Sequence, residues 1–216
     1  MDISHFKTKL VGSLDVPKKI DADTLINDFV FICSLLGNDF LPHSPSLSLR
    51  HDGMDILLKE YRISLSEAGP VTNGSTVNMK SLLHLIGRIA VTEDDRFRII
   101  DKERERLSKR IRHRKFDPDN IPLLDRRVEQ TIQPGTVGWK TRYYWYGLGM
   151  DNDKDGLRII TTRYIKTLHW IYHYYTGYAI DKSYYYRYSL PPLFQDLARM
   201  EDSVLDIDST PGTIIT

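Results

Sequence analysis

The chain has almost no cysteine, since Cys33 is the only one among its 216 residues. One thiol forms neither a disulfide within the chain nor a thiol-based metal cluster. Net charge is also close to absent at +1, so charge alone points to no partner, although a neutral total can hide a basic patch. No apolar run approaches the roughly 20 residues of a membrane-spanning helix, and the N-terminus lacks the hydrophobic region of a signal peptide. These absences predict an intracellular protein with no membrane partner.

Several motifs that carry chemistry are missing from the sequence as well. It has no glycine-rich phosphate loop, no Ser/His/Asp nucleophile arrangement and no His/Asp/Glu cluster dense enough to hold a metal alone. Strand signals are scarce, and no internal repeat is visible. By contrast, 41% of the residues are hydrophobic, and in several segments they recur at helical spacing. We therefore predict a mainly α fold, an irregular multi-helix domain with a core of its own.

The most informative segment reads TLINDFVFICSLLGNDFLPHSP. Its residues 25–36 are apolar almost all the way round, which predicts a helix buried on most of its faces. Asp23 or Thr24 is suited to cap the start of this helix, and Gly37 is placed to end it. Asp39 follows the helix end, where a carboxylate faces the negative end of the helix dipole. Among apolar neighbours such a charge needs compensation, so we predict that a cation binds Asp39.

Two further polar features of this region each have two interpretations. Asp21 and Asp23 form an Asp-x-Asp pair that resembles a metal-ligand motif, but aspartates directly ahead of a helix are more often N-terminal caps. We therefore interpret both as caps. His43 lies between Pro42 and Pro45 in a non-helical segment, where it suits contact with a phosphate or a metal. A hydrogen-bonded loop histidine explains this residue equally well.

A strongly basic stretch occupies residues 96–115, within a helical pattern that begins at Asn78 and continues, with a kink, to about Arg114. The stretch carries ten Lys or Arg against three acids, so local pairing cannot neutralise it. A cationic helix can follow a phosphate backbone by releasing counterions. A solvated helix balanced by acids elsewhere in the fold is the alternative, and the sequence favours neither. Residues 117–138, with several Pro and Gly, are predicted to form an irregular connection.

Aromatic residues dominate the last third of the chain. The segment WKTRYY places Lys140 and Arg142 among rings, which suits base stacking beside phosphate contacts. It equally suits a packed helix start whose basic side chains extend to solvent. After a strong helical pattern at 157–176, the run Tyr184-Tyr185-Tyr186-Arg187-Tyr188 is typical of either core packing or a stacking platform.

Beyond these patterns, the segment NDFVFICSLLGNDFLPHSPSL, followed by GMDILLKEY, closely resembles the Xrn family of 5′→3′ exoribonucleases. The segments WKTRYY, RYIKTLHWIYHYYTGY and SYYYRYSLPPLF look like the second conserved region of that family, in the same order. The resemblance covers most of residues 2–194. It implies a helical domain that normally packs against an α/β nuclease core, and we expect that core to lie outside this chain.

The resemblance also implies roles for individual residues. Asp39 matches the last of the acids that hold a pair of divalent ions in the family, normally Mg²⁺, which makes it a candidate for both metal binding and catalysis. Tyr184 stands where the family commonly has a tryptophan that stacks on the 5′-terminal bases of RNA. Patterns and resemblance together give the RNA-binding candidates Lys140, Arg142, Tyr184, His43, Arg104, Arg110 and Arg112.

We accordingly predict that residues 1–200 form an Xrn-type helical domain followed by a tail at 201–216. Residues 1–45 would be the end of the nuclease segment with its signature helix. Residues 96–138 would be the basic helix and the irregular connection, and residues 139–194 the aromatic second region.

The predicted function is to form part of a metal-dependent 5′→3′ exoribonuclease that degrades 5′-monophosphorylated RNA. Its partners would be RNA and the N-terminal nuclease segment, in the same polypeptide or in a separate chain, and the chain alone would be inactive. The alternative is a non-catalytic RNA-binding or scaffold module. Lys182, Arg187 and Ser189 replace a tryptophan, a proline and a histidine that are usual in the family, which argues against base stacking and recognition of the RNA 5′ end in the way the resemblance implies.

Overall fold

Helices make up most of the computed structural model, which describes residues 5, 7–9, 12, 20–112, 118 and 124–200. The mainly α prediction is confirmed. The predicted tail, most of residues 1–19 and the end of the basic stretch lie outside the described residues. The α-helices include α1 (Ala22–Cys33), α2 (Gly53–Ala68), α3 (Met79–Ala90), α4 (Glu93–Arg112), α5 (Arg127–Ile132), α6 (Trp139–Leu148), α7 (Lys154–Thr176) and α8 (Phe194–Leu197).

The helix α1 begins at Ala22, two or three residues earlier than a cap at Asp23 or Thr24 predicts, because its cap is Asp21. The Asp21 carboxylate accepts hydrogen bonds from the backbone N–H of Thr24 at 2.9 Å and from its hydroxyl at 2.7 Å. Asp23 lies in the first turn of the helix. After Cys33 the helix tightens into a 3-10 turn, Ser34–Leu36. The helical segment ends at Gly37, which has a φ of 86°.

The long helix predicted from Asn78 to about Arg114 is two helices, α3 and α4. Asn78 caps α3 by accepting a hydrogen bond from the backbone N–H of Ser81 at 3.2 Å. The helix is interrupted by a turn at Val91 and Thr92, and α4 starts at Glu93, whose side chain is fully buried. Contacts of Glu93 with distant parts of the chain hold this break, which helical periodicity alone does not reveal.

Two hydrophobic clusters form the interior. The first joins α1, α2, α3, α7 and α8. Each Å² of apolar surface that is buried there stabilises the fold by roughly 25 cal/mol. The second is mainly aromatic and joins the start of α4 to α5, α6 and the beginning of α7. Tyr186 packs against both clusters. The second cluster comprises Phe97, Ile132, Trp139, Tyr143, Tyr144, Leu148, Ile160 and Leu193.

A buried carboxylate, Asp28, ties α1 to a small antiparallel hairpin of β1 (Thr72–Asn73) and β2 (Thr76–Val77). Asp28 is 0% exposed and accepts four hydrogen bonds. Tyr61 Oη donates at 2.7 Å and Val71 N at 2.9 Å, while Thr72 donates through its N and its Oγ1, both at 2.6 Å. Burial raises the pKa of Asp28, and these hydrogen bonds oppose that shift.

Candidate nucleic-acid interface

The loop at residues 37–45, here called the signature loop, turns back sharply after α1. A Cβ on Gly37 would lie 2.6 Å from the backbone nitrogen of His43, so only glycine fits this close approach. Asn38 stabilises the turn, because its Oδ1 accepts hydrogen bonds from the backbone N–H of Phe40 at 2.9 Å and of Leu41 at 3.0 Å. Leu41 is buried, which leaves Asp39 exposed at the tip of the turn.

The signature loop forms one wall of a cavity of about 160 Å³. Small-molecule pockets measure roughly 300–1,000 Å³, so this cavity suits a single planar ring better than a larger ligand. The sequence places Asp39 and Tyr184 far apart, and the fold brings them to the same cavity. We call this cavity the aromatic cleft. Its lining residues are Asp39, Phe40, Thr167, Trp170, Tyr184, Tyr185 and Tyr186.

Most rings of the aromatic cleft are held in place by other parts of the chain. Phe40 meets Trp170 edge to face at 5.1 Å between ring centroids, and Trp170 stacks on Tyr174 at 5.6 Å. Trp170 also donates its indole N–H to the backbone oxygen of Asp181 at 2.7 Å. These contacts give the cleft a rigid aromatic floor.

The three tyrosines of the cleft differ in how they are held. The Tyr184 hydroxyl lies 3.1 Å from the Thr167 hydroxyl, and burial raises the pKa of Tyr184. Tyr186 donates its hydroxyl to the backbone oxygen of Leu190 at 2.9 Å. Tyr185 is 75% exposed and makes no hydrogen bond or ring contact with any residue in the described ranges. Of these three rings, that of Tyr185 is therefore the most available to a ligand.

Asp39 is an exposed carboxylate rather than one enclosed by apolar residues, so burial does not require a cation there. No residue in the described part of the chain donates a hydrogen bond to Asp39 or forms an ion pair with it. The described residues also contain no group of three or more His, Cys, Asp or Glu that could hold a metal ion. Mg²⁺ usually binds one or two carboxylates together with waters and substrate phosphates. The donor chemistry of Asp39 fits one ligand of such an ion.

His43, within the signature loop, lies near enough to Arg104 of α4 for the arginine charge to influence it. The pKa of His43 is lowered by partial burial of the imidazole and, to a smaller extent, by the positive charge of Arg104. Arg104 forms an ion pair with Glu129 and donates a long hydrogen bond of 3.5 Å to the backbone oxygen of Asp125. These contacts make Arg104 a link between α4 and the segment that carries α5.

The remaining charges of α4 show features of both interpretations. Arg98 pairs with Asp95 at 2.6 Å and Lys109 with Glu105 at 2.8 Å, as expected of a balanced, solvated helix. Arg110 is exposed and forms no ion pair with any other described residue. Arg112 is the last residue of α4, and its side chain lies outside the described part of the chain. Phosphate contact by Arg110 and Arg112 stays a prediction.

The basic residues of α6 are engaged within the chain. Lys140 donates to the side-chain oxygen of Gln195 at 2.5 Å and lies 3.3 Å from a carboxylate oxygen of Asp94. Arg142 donates to the backbone oxygens of Ile132 at 2.9 Å and of Val137 at 3.0 Å. RNA contact by these two residues stays a prediction, and it would compete with the bonds described here.

Five residues of the cleft are not among the site residues predicted from the sequence: Phe40, Thr167, Trp170, Tyr185 and Tyr186. Each lies inside a segment that carries the Xrn resemblance. The sequence therefore reveals the motif, but it does not reveal which side chains point into the cavity. In the segment RYIKTLHWIYHYYTGY, Thr167 and Trp170 are three residues apart, which places them on one face of α7. No described helix is long and apolar enough to cross a membrane.

The same segments match known proteins. The family profile described as the Xrn1 helical domain matches residues 19–122 and 123–214. The 5′-3′ exoribonuclease 2 of Arabidopsis thaliana is 34% identical over 98 residues, which are 45% of this chain and 10% of that protein. The 5′-3′ exoribonuclease 2 homolog of Caenorhabditis elegans is 30% identical over 114 residues, 52% of this chain and 12% of that protein. The matched part thus spans about a tenth of the length of these relatives.

Proposed function

The chain belongs to the family of the Xrn1 helical domain, and we propose that it forms part of a metal-dependent 5′→3′ exoribonuclease that degrades 5′-monophosphorylated RNA. A nuclease segment, in the same polypeptide or in a separate chain, would supply the other metal ligands. The names of the relatives, which are 5′-3′ exoribonucleases, support the reaction class. The chain by itself would then be inactive, because one carboxylate cannot hold a pair of Mg²⁺ ions.

The aromatic cleft is the observation that carries this proposal. An exposed carboxylate with no described partner, Asp39, lies in the same small cavity as the exposed ring of Tyr185. A nuclease that cuts RNA one nucleotide at a time needs these two elements together, an anchor for a cation beside the phosphate and a surface for the base. Mg²⁺ bound at Asp39 would stabilise the negative charge on the phosphate during cleavage.

The aromatic residues would position the nucleotide by stacking. Base–aromatic stacking is worth about 1–3 kcal/mol per base and does not depend strongly on sequence. The rings of Phe40, Tyr184 and Tyr185 all line the cleft that contains Asp39. Tyr184 is held by Thr167, so it would contribute a fixed surface, whereas the exposed ring of Tyr185 would adjust its position to the base.

The proposal is tested with the complete protein, including the nuclease segment, on 5′-phosphorylated single-stranded RNA with Mg²⁺. We expect Asp39→Ala to abolish most of the hydrolysis. Asp55→Ala is the matched control, because Asp55 is also an exposed aspartate but lies in the first turn of α2, outside the cleft. Equal activity of the Asp39 and Asp55 variants would overturn the assignment of Asp39 as a ligand.

A non-catalytic RNA-binding or scaffold module is the second candidate function. Lys182, Arg187 and Ser189, close in sequence to the cleft tyrosines, replace residues that are usual in the family, which counts against recognition of the RNA 5′ end and to that extent against the first candidate. The same assay separates the two candidates. Binding of the RNA without hydrolysis by the complete wild-type protein would establish the second candidate and exclude the first.

A further inference from the structure

The buried carboxylate of Glu93 joins two segments that are far apart in the sequence. Glu93 is 0% exposed, at the start of α4. One of its oxygens accepts a hydrogen bond from the backbone N–H of Phe194 at 2.8 Å, and the other accepts from the backbone N–H of Gln195 at 2.9 Å. The first oxygen also accepts a weaker hydrogen bond from the Ser46 hydroxyl at 3.4 Å. We call these four residues the Glu93 junction.

The Ser46 side of the Glu93 junction fixes the chain that leaves the signature loop. Arg96, one turn after Glu93, donates through its Nε to the backbone oxygen of Ser46 at 2.8 Å. A second guanidinium nitrogen of Arg96 donates to the backbone oxygen of Ile89 at 2.6 Å. The hydroxyls of Ser44 and Ser46 are 2.8 Å apart. The wall of the cleft that carries Asp39 is therefore anchored on α4 within a few residues.

The Phe194 side of the Glu93 junction fixes the chain that leaves the cleft tyrosines. Leu193 donates its backbone N–H to the Tyr144 hydroxyl at 3.0 Å, and that hydroxyl donates to Asp196 at 2.6 Å. Tyr143 donates its hydroxyl to the backbone oxygen of Pro191 at 2.9 Å. The wall of the cleft formed by residues 184–186 therefore runs into a segment that α4 and α6 hold rigidly.

We propose that Glu93 is a positioning residue that sets the spacing between the two walls of the aromatic cleft. It does not line the cleft, so it would act on a bound nucleotide only through Ser46 on one side and Phe194 and Gln195 on the other. The effect on RNA rests on the proposed function, whereas the mechanical link between the walls does not. No other buried carboxylate in the described part of the chain bonds to both segments.

Glu93→Gln isolates this role, because the amide keeps the size of the side chain. The carboxylate accepts a backbone N–H on each of its oxygens, but the amide has only one oxygen. Its NH₂ group would face a backbone N–H, so one of the two bonds to Phe194 and Gln195 must break. Asp28→Asn is the matched control, since Asp28 is equally buried and also accepts backbone N–H groups, yet it bonds to the β1 hairpin instead.

The link is measured by hydrogen exchange of the full chain, followed at the backbone amides of the segments that leave the two walls. These are residues 44–48, except Pro45, which has no amide hydrogen, and residues 194–195. We expect Glu93→Gln to speed exchange at least tenfold at residues 194–195 and also at residues 44–48, with little change at 71–72. Asp28→Asn should show the reverse pattern. Ser46→Ala, a milder change, should speed exchange at 44–48 only. Unchanged exchange at 44–48 in the Glu93 variant would overturn the proposal, and this measurement needs no RNA.

The effect on the cleft is measured as the affinity for a 5′-phosphorylated single-stranded RNA in the presence of Mg²⁺. We expect Glu93→Gln to weaken binding at least fivefold, and Asp28→Asn to weaken it less than twofold at temperatures where both variants remain folded. Equal losses in the two variants would mean that Glu93 contributes only to general stability. If the wild-type protein binds no RNA, the proposed function fails, while the exchange experiment still decides whether Glu93 links the two walls.

Discussion

Asp28 and Asp39 are two aspartates of one short segment, and the fold uses them in opposite ways. Asp28 lies inside α1, fully buried, with four hydrogen bonds from Tyr61, Val71 and Thr72. Asp39 lies just after the helix end, exposed in the aromatic cleft, with no donor among the described residues. A carboxylate whose acceptor sites are filled by its own chain stabilises the fold. One that the chain leaves open is available to a ligand.

The same distinction separates other pairs of like residues. Tyr184 has its hydroxyl tied to Thr167, whereas Tyr185 has an exposed ring and no described partner. Arg104 pairs with Glu129, whereas Arg110 pairs with no other described residue. Residue type is therefore a poor guide to function in this chain, and the state of each side chain's bonds is a better one.

The largest expected effect is on stability, at Asp28. Asp28→Ala leaves the donors of Tyr61, Val71 and Thr72 buried and unsatisfied, which costs about 1–3 kcal/mol for each such group. We expect the free energy of unfolding to fall by about 4 kcal/mol, measured by urea denaturation. Asp39→Ala should change it by less than about 0.5 kcal/mol, as is usual for an exposed side chain. Similar losses in the two variants would break the comparison.

The next effect concerns pH and the Glu93 carboxylate. Burial raises the pKa of Glu93 from 4.5 to about 7, against the lowering influence of the backbone N–H groups of Gln195 and Phe194 and of the Arg96 charge. Because the pKa is higher in the folded chain, protonation of Glu93 favours folding. This contribution to the free energy of unfolding is complete below about pH 4.5 and is lost as the pH rises to about 7. Glu93→Gln should remove about 3 kcal/mol of this dependence.

The measurement for Glu93 is urea unfolding of the wild type and of Glu93→Gln at steps between pH 4.5 and pH 7.5. We expect the stability of the variant to vary less with pH across this window. Asp28→Asn is a useful comparison, because burial raises the pKa of Asp28 as well and its loss should flatten the profile in the same direction. Parallel pH profiles for the wild type and the Glu93 variant would contradict the prediction.

The sequence predicts most of the long helices, because their apolar spacing is a local property. It misses the break between α3 and α4, and it misses α5, which lies within the stretch 117–138 predicted to be an irregular connection. It also singles out Asp39, from its place after the helix end and from the resemblance to the Xrn family, and Tyr184 from that resemblance alone; the roles of both residues stay predictions. It does not identify Asp28 or Glu93, because the groups that bond to them come from distant segments: Thr72 for Asp28 and Phe194 for Glu93. The premise that Asp39 is enclosed by apolar residues is wrong, since the turn after Gly37 carries its side chain to the surface.

A smaller effect is expected from the two tyrosines of the cleft. Tyr185→Ala should weaken binding of single-stranded RNA by about tenfold, because stacking on one base is worth about 1–3 kcal/mol. It should leave the free energy of unfolding nearly unchanged, since the ring is 75% exposed. Tyr184→Phe should do the reverse, keeping the ring surface but losing the hydroxyl bond to Thr167, worth about 1 kcal/mol.

Both tyrosine variants are measured by RNA titration and by urea denaturation. Tyr178→Ala is the control for removal of a surface tyrosine, because Tyr178 is also exposed and does not line the cleft. If Tyr178→Ala and Tyr185→Ala weaken binding equally, the cleft has no special part in stacking.

The smallest effect should come from the basic helix, where Arg110 tests whether an open charge serves the RNA phosphates. Arg110→Glu should weaken RNA binding and reduce the slope of log K against log salt by about 1, because a contact with one phosphate releases about one counterion. Lys59→Glu makes the same charge change on the exposed surface of α2 and should leave the slope unchanged. An identical slope for the Arg110 variant and the wild type would mean that this arginine faces only solvent. An exposed charge without a described partner would then not indicate a ligand on α4. The rule that a side chain left unbonded by its own chain is available to a ligand, which separates Asp39 from Asp28, would then hold for the cleft alone.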